Sequence, residues 1–209
     1  MVQVIQAQNV TLGYLEERFG LQQAENEDFF TEWFDSLPDI TDLEKQYLDR
    51  VKFHFLRLVK RPPLLEEAVK LVVLSPLLSL AGFYDESFFL KSEQSVEISL
   101  EDEGEIVRGR IYVLVIQQQL WLLIIESKRP SFSLLEAIPQ ALAYMLANPQ
   151  LEKPLFGLVM NGSDFIFLKL TRVNQPKYAL SDQFTLLKRE NELYKVLSIL
   201  KKLSQVLIE

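Results

Sequence analysis

The chain of 209 residues contains no cysteine, and His54 is its single histidine. Without cysteine, the protein has neither disulfide bonds nor thiolate-bound metals. With one histidine, a Ser-His-Asp triad or a histidine-rich zinc site is not expected. Any bound metal would therefore be held by oxygen atoms, which suits Mg²⁺ or Mn²⁺.

Glycine and long apolar runs are also scarce. The 7 glycines form neither a GxGxxG nor a Walker sequence, which argues against an enzyme that cradles a phosphate in such a loop. The longest apolar run, residues 71–83, is interrupted by Pro76 and is too short to span a bilayer. Because Met1 is followed by an uncharged segment and not by the basic start of a signal peptide, we expect a soluble cytoplasmic protein without a membrane partner.

Negative charge is concentrated at the start of the chain. The formal net charge is −7, and residues 1–50 hold 11 acidic and 3 basic side chains, whereas the remainder holds 18 and 19. This distribution argues mildly against a general affinity for nucleic acid, which normally uses a basic face. It leaves a local basic groove open.

Helical patterns fill the first eighty residues. Thr11 is placed to cap a short helix that ends near Gly20, and residues 25–38 predict a second, acidic helix. A third helix begins after Thr41, with Glu44 at the capping-box spacing. Its predicted apolar stripe consists of Leu43, Tyr47, Val51, Phe55 and Leu58.

A fourth helix is predicted over residues 64–83, bent or broken before Pro76 and ended by Gly82. From residue 88 the apolar period changes to two, which is typical of strands. We predict strands at residues 95–101, 106–116 and 120–128, then a helix at 133–148, two strands at 154–170 around Asn161-Gly162, and a C-terminal helix at 186–208. This order predicts an α/β sandwich with a mixed sheet.

Glu126 and Lys128 end the third of these strands, the nearly all-apolar segment 120–128. Residues two apart lie on one face of a strand, so the carboxylate and the ammonium should project together. A carboxylate can bind a hard divalent cation, and a neighbouring lysine can orient a water molecule or offset phosphate charge. The plain alternative is a salt bridge where the strand reaches solvent.

Four segments in order resemble the core of the PD-(D/E)XK nuclease superfamily, in particular the nuclease domain of type I restriction-enzyme R subunits and RecB-type nucleases. They are LLEEAVKL, with Glu66 and Glu67; GRIYVLV, where the family has Gly-Arg-x-Asp; IESK, with Glu126 and Lys128; and QALAY, with Gln140 and Tyr144. The resemblance covers roughly residues 60–170.

The resemblance implies a restriction-endonuclease-like three-layer α/β/α sandwich. It implies a helical N-terminal extension, residues 1–60, before a core at residues 61–209. By the same resemblance, Glu126 with Glu66 or Glu67 would bind Mg²⁺ or Mn²⁺, and Lys128 would assist the attacking water. Gln140 and Tyr144 would position the site and the substrate strand.

Tyr112 stands where the family places its metal-binding aspartate. A phenol is a poor Mg²⁺ ligand at neutral pH, because its pKa is near 10. Glu97, or an acid between Glu101 and Glu105, would have to supply the missing carboxylate from a neighbouring strand.

Two functions remain open from the sequence. One is an Mg²⁺-dependent nuclease that cuts DNA, with Arg108 and Arg110 in contact with phosphate. The other is an inactive nuclease fold that binds nucleic acid or protein, with a homodimer as one form. Tyr112 and the acidic net charge favour the second, and the rest of the motif favours the first.

Overall fold

The computed structural model describes the backbone of residues 3–6, 9–60, 66–86, 88, 90–100, 105–116, 120–124, 134–148 and 152–208. Side chains are described for residues 9–60, 68–86, 88, 134–148 and 152–208. Within these ranges the helices are α1 (Leu12–Phe19), α2 (Asp42–Val59), α3 (Glu66–Val69), α4 (Ser75–Leu80), α5 (Leu134–Leu146) and α6 (Leu193–Ile208). The strands are β1 (Gln3–Gln6), β2 (Gln22–Gln23), β3 (Leu90–Leu100), β4 (Glu105–Ile116), β5 (Leu120–Ile124), β6 (Leu155–Met160), β7 (Asp164–Thr171) and β8 (Lys177–Thr185).

The described strands form one mixed eight-stranded sheet. Strand β4 pairs along its length with β3, while β1 and β5 share its other edge, β1 at Glu105 to Arg108 and β5 at Val113 to Ile116. The sheet then continues through β6, β7 and β8 to β2. Three pairs, β1–β4, β5–β6 and β2–β8, are parallel, and the remaining pairs are antiparallel.

Helices cover both faces of the sheet, because alternate residues of its strands enter two separate cores. Phe156 and Leu158 of β6 belong to the core that contains α2, α4 and α6. Leu155 and Val159 of the same strand belong to the core that contains α1 and α5. Every residue of β6 is buried, as expected of a central strand covered on both faces. The predicted three-layer α/β/α sandwich with helices at its N-terminal side is confirmed.

Helix ends follow the local sequence closely. Thr11 caps α1 by accepting a hydrogen bond from the Tyr14 N–H, and Gly20 ends the helix with a φ of 63°, a conformation that favours glycine. Thr41 caps α2 through the predicted capping box, in which Glu44 accepts a hydrogen bond from the Thr41 N–H at 2.7 Å.

The predicted break before Pro76 takes the form of a π-helical segment. Residues Lys70–Leu74 join α3 to α4, and the Ser75 N–H donates to the Lys70 carbonyl, five residues back. Proline has no N–H to donate, and its ring would crowd the carbonyl four residues earlier. A local widening of the helix removes this conflict without ending the helix.

Three predictions of local structure were wrong. Residues 25–38 form a 3₁₀ turn at Glu27–Phe30 followed by a turn and bends, and Phe30, Phe29 and Trp33 pack into the core while Phe34 is exposed. In α2, Leu43 and Tyr47 are 76% and 45% exposed, and the buried face is formed by Leu48, Val51 and Phe55. The C-terminal helix begins at Leu193 and not near residue 186.

Strands β1, β2 and β8 were not predicted. Each is positioned by a partner far away in the chain, β1 by β4, β2 by β8, and β8 by β7 and β2. The predicted division at residue 60 stays a prediction. Leu48 and Phe55 of α2, which precede residue 60, share one core with Leu197 of α6. No helix of the described residues is long and apolar enough to cross a membrane.

Candidate functional site

Strand β4 carries Tyr112 to the end of β5. Val113, the next residue, pairs with Leu123, and β5 is described up to Ile124. Glu126 and Lys128 follow Ile124 by two and four residues in the sequence and lie outside the described residues. The side chain of Tyr112 is outside them too, so the site is defined here by backbone position.

A β-bulge falls at Tyr112. Ser92 of β3 pairs with Leu114 and Gln94 pairs with Ile111, so one β3 residue, Glu93, faces two β4 residues, Tyr112 and Val113. A bulge of this kind bends the strand and re-aims side chains, and bulges are frequent beside active sites. The irregularity coincides with the position at which the sequence departs from the nuclease motif.

Helix α5 brings Gln140 and Tyr144 together. The Gln140 Nε2 donates a hydrogen bond to the Tyr144 hydroxyl at 3.0 Å, as their spacing of one helical turn allows. Tyr144 is 1% exposed and Gln140 is half-buried. Burial raises the pKa of Tyr144, and the hydrogen bond from Gln140 partly opposes that shift. Tyr144 is therefore a neutral, buried anchor for the Gln140 side chain.

Helix α5 lies close to the strands that lead to the candidate site. It contacts β3, β5, β6 and β7. Gly157 of β6 permits this approach, because a β-carbon at that position would lie 3.1 Å from the Met145 Sδ of α5. Helix α5, which carries Gln140, is also close to β3.

Glu66 and Glu67 open α3, which leads through the π-helical segment into α4. Their backbone is described, but their side chains lie outside the described residues. Their predicted role as metal ligands stays a prediction.

Arg108 and Arg110 lie on β4 at the register positions of Glu97 and Ser95. Glu97 is therefore four residues from Tyr112 along the sheet, about 13 Å at the usual rise of a strand. Glu105 is farther away, opposite Leu100. Neither of these acids is well placed to replace a carboxylate at Tyr112, and residues 101–104 lie outside the described residues.

Tyr112 and Glu126 would suit a hard divalent cation only if a second carboxylate joined that of Glu126. Tyr112 has a phenol where the family places a carboxylate. The backbone of β3 brings an acid, Glu93, to the register position that faces Tyr112. Among the side chains that the structure describes, no group of three or more His, Asp or Glu could hold a metal. The side chains of β3, β4 and β5, which would form the candidate site, lie outside that set.

The amino-acid sequence of residues 25–175 matches the protein family described as type I restriction enzyme R protein N terminus. The chain belongs to this family. The match covers well over half of the 209 residues and includes Tyr112, Glu126, Lys128 and Gln140. No curated protein matches the sequence.

Membership in the family of type I restriction enzyme R protein N termini supports the resemblance at a coarse level. It makes the chain a restriction-enzyme-like module. It leaves the assignment of individual residues as predictions. Sequence reasoning missed the bulge between β3 and β4, because no local pattern in the sequence predicts a change of register between two strands.

Proposed function

We propose that the chain cleaves DNA phosphodiester bonds with the help of Mg²⁺ or Mn²⁺. The observation that carries the proposal is the family match, which spans all four motif segments. The strand register adds to it, since β4 and β5 are paired at Val113 and Leu123, which are one residue from Tyr112 and three residues from Glu126 in the sequence.

Glu126, with Glu66 or Glu67, would hold the divalent cation. The bound ion would activate a water molecule and stabilise charge on the phosphate. Lys128 would orient that water or offset the developing charge. Gln140, held by the buried Tyr144 hydroxyl, would position the site.

Basic residues at two places in the chain suit the phosphate backbone of DNA. Arg108 and Arg110 on β4 are the residues predicted from the sequence. At the C-terminal end of α2, exposed His54, Arg57 and Lys60 line a groove beside Val72. This basic groove contrasts with the acidic first fifty residues.

Cleavage of supercoiled plasmid and single-stranded DNA in Mg²⁺ or Mn²⁺ tests the proposal. Wild type should cut, and Glu126→Gln and Lys128→Ala should each reduce the rate at least a hundredfold, whereas exposed Glu25→Gln should not. Loss of cutting in EDTA should be reversed by added metal. An inert wild type, or cutting that survives Glu126→Gln, contradicts the proposal.

A second function is favoured by Tyr112, which removes one family carboxylate. In this alternative the chain is an inactive nuclease fold that binds DNA or protein, as a monomer or a homodimer. DNA binding that persists in EDTA, is unchanged in Glu126→Gln and weakens in Arg57→Glu but not in Lys45→Glu would support it. Lys45 is a suitable control because it lies at the opposite end of α2.

A further inference from the structure

We propose that the groove at the C-terminal end of α2 binds single-stranded DNA, with a base stacked on the exposed ring of Phe53 and phosphates paired with Arg57 and Lys60. The inference rests on the proposed function in that DNA is the ligand, but it requires neither a metal nor cleavage. Its basis is a juxtaposition of described side chains: an exposed aromatic ring lies against an arginine of the basic groove.

Phe53 presents its ring to solvent on the outer face of α2. It is 58% exposed, whereas Val51 and Phe55 of the same helix are buried in the core. The Arg57 guanidinium, one helical turn further on, lies over the ring at 5.7 Å from its centroid, and the His54 ring lies 6.0 Å away. Unpaired bases stack on aromatic rings and on arginine guanidinium groups, whereas the bases of a duplex are already stacked on each other. The ring therefore favours a single strand.

The groove beside this ring is basic and of limited size. It has a volume of about 480 Å³, which lies within the range of pockets that hold one small molecule. Among the side chains that the structure describes, no carboxylate forms an ion pair with Arg57 or Lys60. Cations in this arrangement can pair with the phosphates of a strand while its bases reach the aromatic ring.

Contacts with the rest of the fold hold α2 in place beneath this face. The Lys52 Nζ donates hydrogen bonds of 2.6 Å and 2.8 Å to two backbone carbonyls in the segment before α6. Asp49, the acid of α2 nearest to Phe53 in the sequence, accepts hydrogen bonds from the Asn191 side chain and the Tyr194 hydroxyl. A surface that is already held in place loses little conformational freedom when it binds a ligand.

The groove also adjoins the helix that begins with Glu66 and Glu67, the predicted metal ligands. Val72, which lines the groove together with residues of α2, belongs to the π-helical segment that continues α3. A strand bound in the groove would therefore lie beside that helix. This position relates the groove to the proposed cleavage without adding a ligand to the metal.

Fluorescence anisotropy with a labelled oligothymidylate of about 12 nucleotides, in EDTA, tests the inference without cleavage. Wild type should bind this strand about tenfold or more tightly than an abasic strand of the same length, because stacking of one base contributes about that factor. Phe53→Leu should lose the difference but still bind the abasic strand, which would show that it is folded. Phe53→Tyr, which keeps an aromatic face, should retain the difference.

Two further variants complete the series. Tyr47→Leu, the matched change at an exposed aromatic residue earlier in α2, should not alter the affinity for either strand. Arg57→Gln should weaken the binding of both strands and reduce the slope of log affinity against log salt by about 0.7, the value for one phosphate contact on a single strand.

The outcomes separate this inference from the proposed function. Equal affinity of wild type and Phe53→Leu for the oligothymidylate would overturn the inference, as would tighter binding of the duplex of the same length. Displacement of the oligothymidylate by an equal concentration of polyglutamate would identify an acidic peptide as the occupant and would overturn it too. Binding that depends on Phe53, in a wild type that does not cut DNA in Mg²⁺, would support the inference and contradict the proposed function.

Discussion

At the scale of single residues, the contact between Glu32 and Lys169 joins the turn that follows the 3₁₀ segment Glu27–Phe30 to β7. The Lys169 Nζ lies 2.5 Å from the Glu32 Oε1, and the two side chains are only 13% and 15% exposed. The ammonium also lies 5.6 Å and 5.8 Å from the ring centroids of Phe29 and Phe156, within cation–π range. The ion pair is therefore largely removed from water, and each charge is compensated mainly by the other.

Glu32→Ala should lower the free energy of unfolding by about 3 kcal/mol, because removal of one partner leaves a mostly buried charge without its counterion. Exposed Glu25→Ala should change it by less than about 0.5 kcal/mol. Urea denaturation measures both values. The double variant Glu32→Leu/Lys169→Met should recover much of the loss, and a Glu32→Ala protein as stable as Glu25→Ala would refute this view of the pair.

Glu44 couples stability to pH. Burial raises the pKa of its carboxyl, but hydrogen bonds from Lys201 and from the Thr41 backbone outweigh this and bring the pKa below the ordinary value of 4.5. Glu192 has a lowered pKa as well, since hydrogen bonds from Lys188 and the Thr185 N–H outweigh its burial. Because both carboxylates are more acidic when folded, their stabilisation is present above about pH 4.5 and is lost as the pH falls through the folded-state pKa.

Glu44→Gln should therefore be less stable than wild type at pH 7, and the difference should shrink as the pH is lowered to 3. Chemical denaturation at pH 7, 5 and 3 measures it. Glu25→Gln, which changes an exposed acid, should show no such trend. A difference between Glu44→Gln and wild type that stays constant across this range would contradict the coupling.

At the scale of elements, the sequence predicted those features that depend on near neighbours. A few adjacent residues determine each of these features: the caps at Thr11 and Thr41, the break before Pro76, and the turn at Asn161-Gly162. Residues 25–38 were misassigned, because the packing of Phe30 against Phe156 and of Trp33 against Phe184 in the sheet outweighed local helix preference.

The approach of α5 to β6 gives a test at this scale. Gly157→Ala should lower the free energy of unfolding by about 1–2 kcal/mol, because its β-carbon would lie 3.1 Å from the Met145 Sδ and 3.4 Å from the Leu168 Cβ. Gly13→Ala is the matched control. No atom lies within 4 Å of a β-carbon there, and alanine in α1 should instead stabilise by about 0.5–1 kcal/mol. Equal effects of the two changes in denaturation experiments would contradict the close packing of α5.

At the scale of the whole molecule, the sheet depends on pairings that no local pattern reveals. Strand β1 joins β4 about a hundred residues later, and β2 joins β8 across more than 150 residues. The fold class could still be predicted, because the order of helices and strands limits the architectures. The register of β3 and β4 could not be predicted, since one bulge at Tyr112 and Val113 shifts every later pair by a residue.

For the candidate site, too, the sequence predicts which segments are involved but not how the strands pair. The sequence motifs predict roles for Glu126, Lys128, Gln140 and Tyr144, and these roles stay predictions, whereas the family match supports the restriction-enzyme-like module. The hydrogen bond between Gln140 and Tyr144 agrees with their helical spacing.

The most direct test of the nuclease proposal is the rate of plasmid cleavage by Tyr112→Asp beside wild type at a limiting Mg²⁺ concentration. A working site that lacks one carboxylate predicts measurable cutting by wild type, about tenfold faster cutting by Tyr112→Asp, and none by Tyr112→Asp/Glu126→Gln. If wild type does not cut DNA although it is folded, the proposal is contradicted, whether or not Tyr112→Asp cuts.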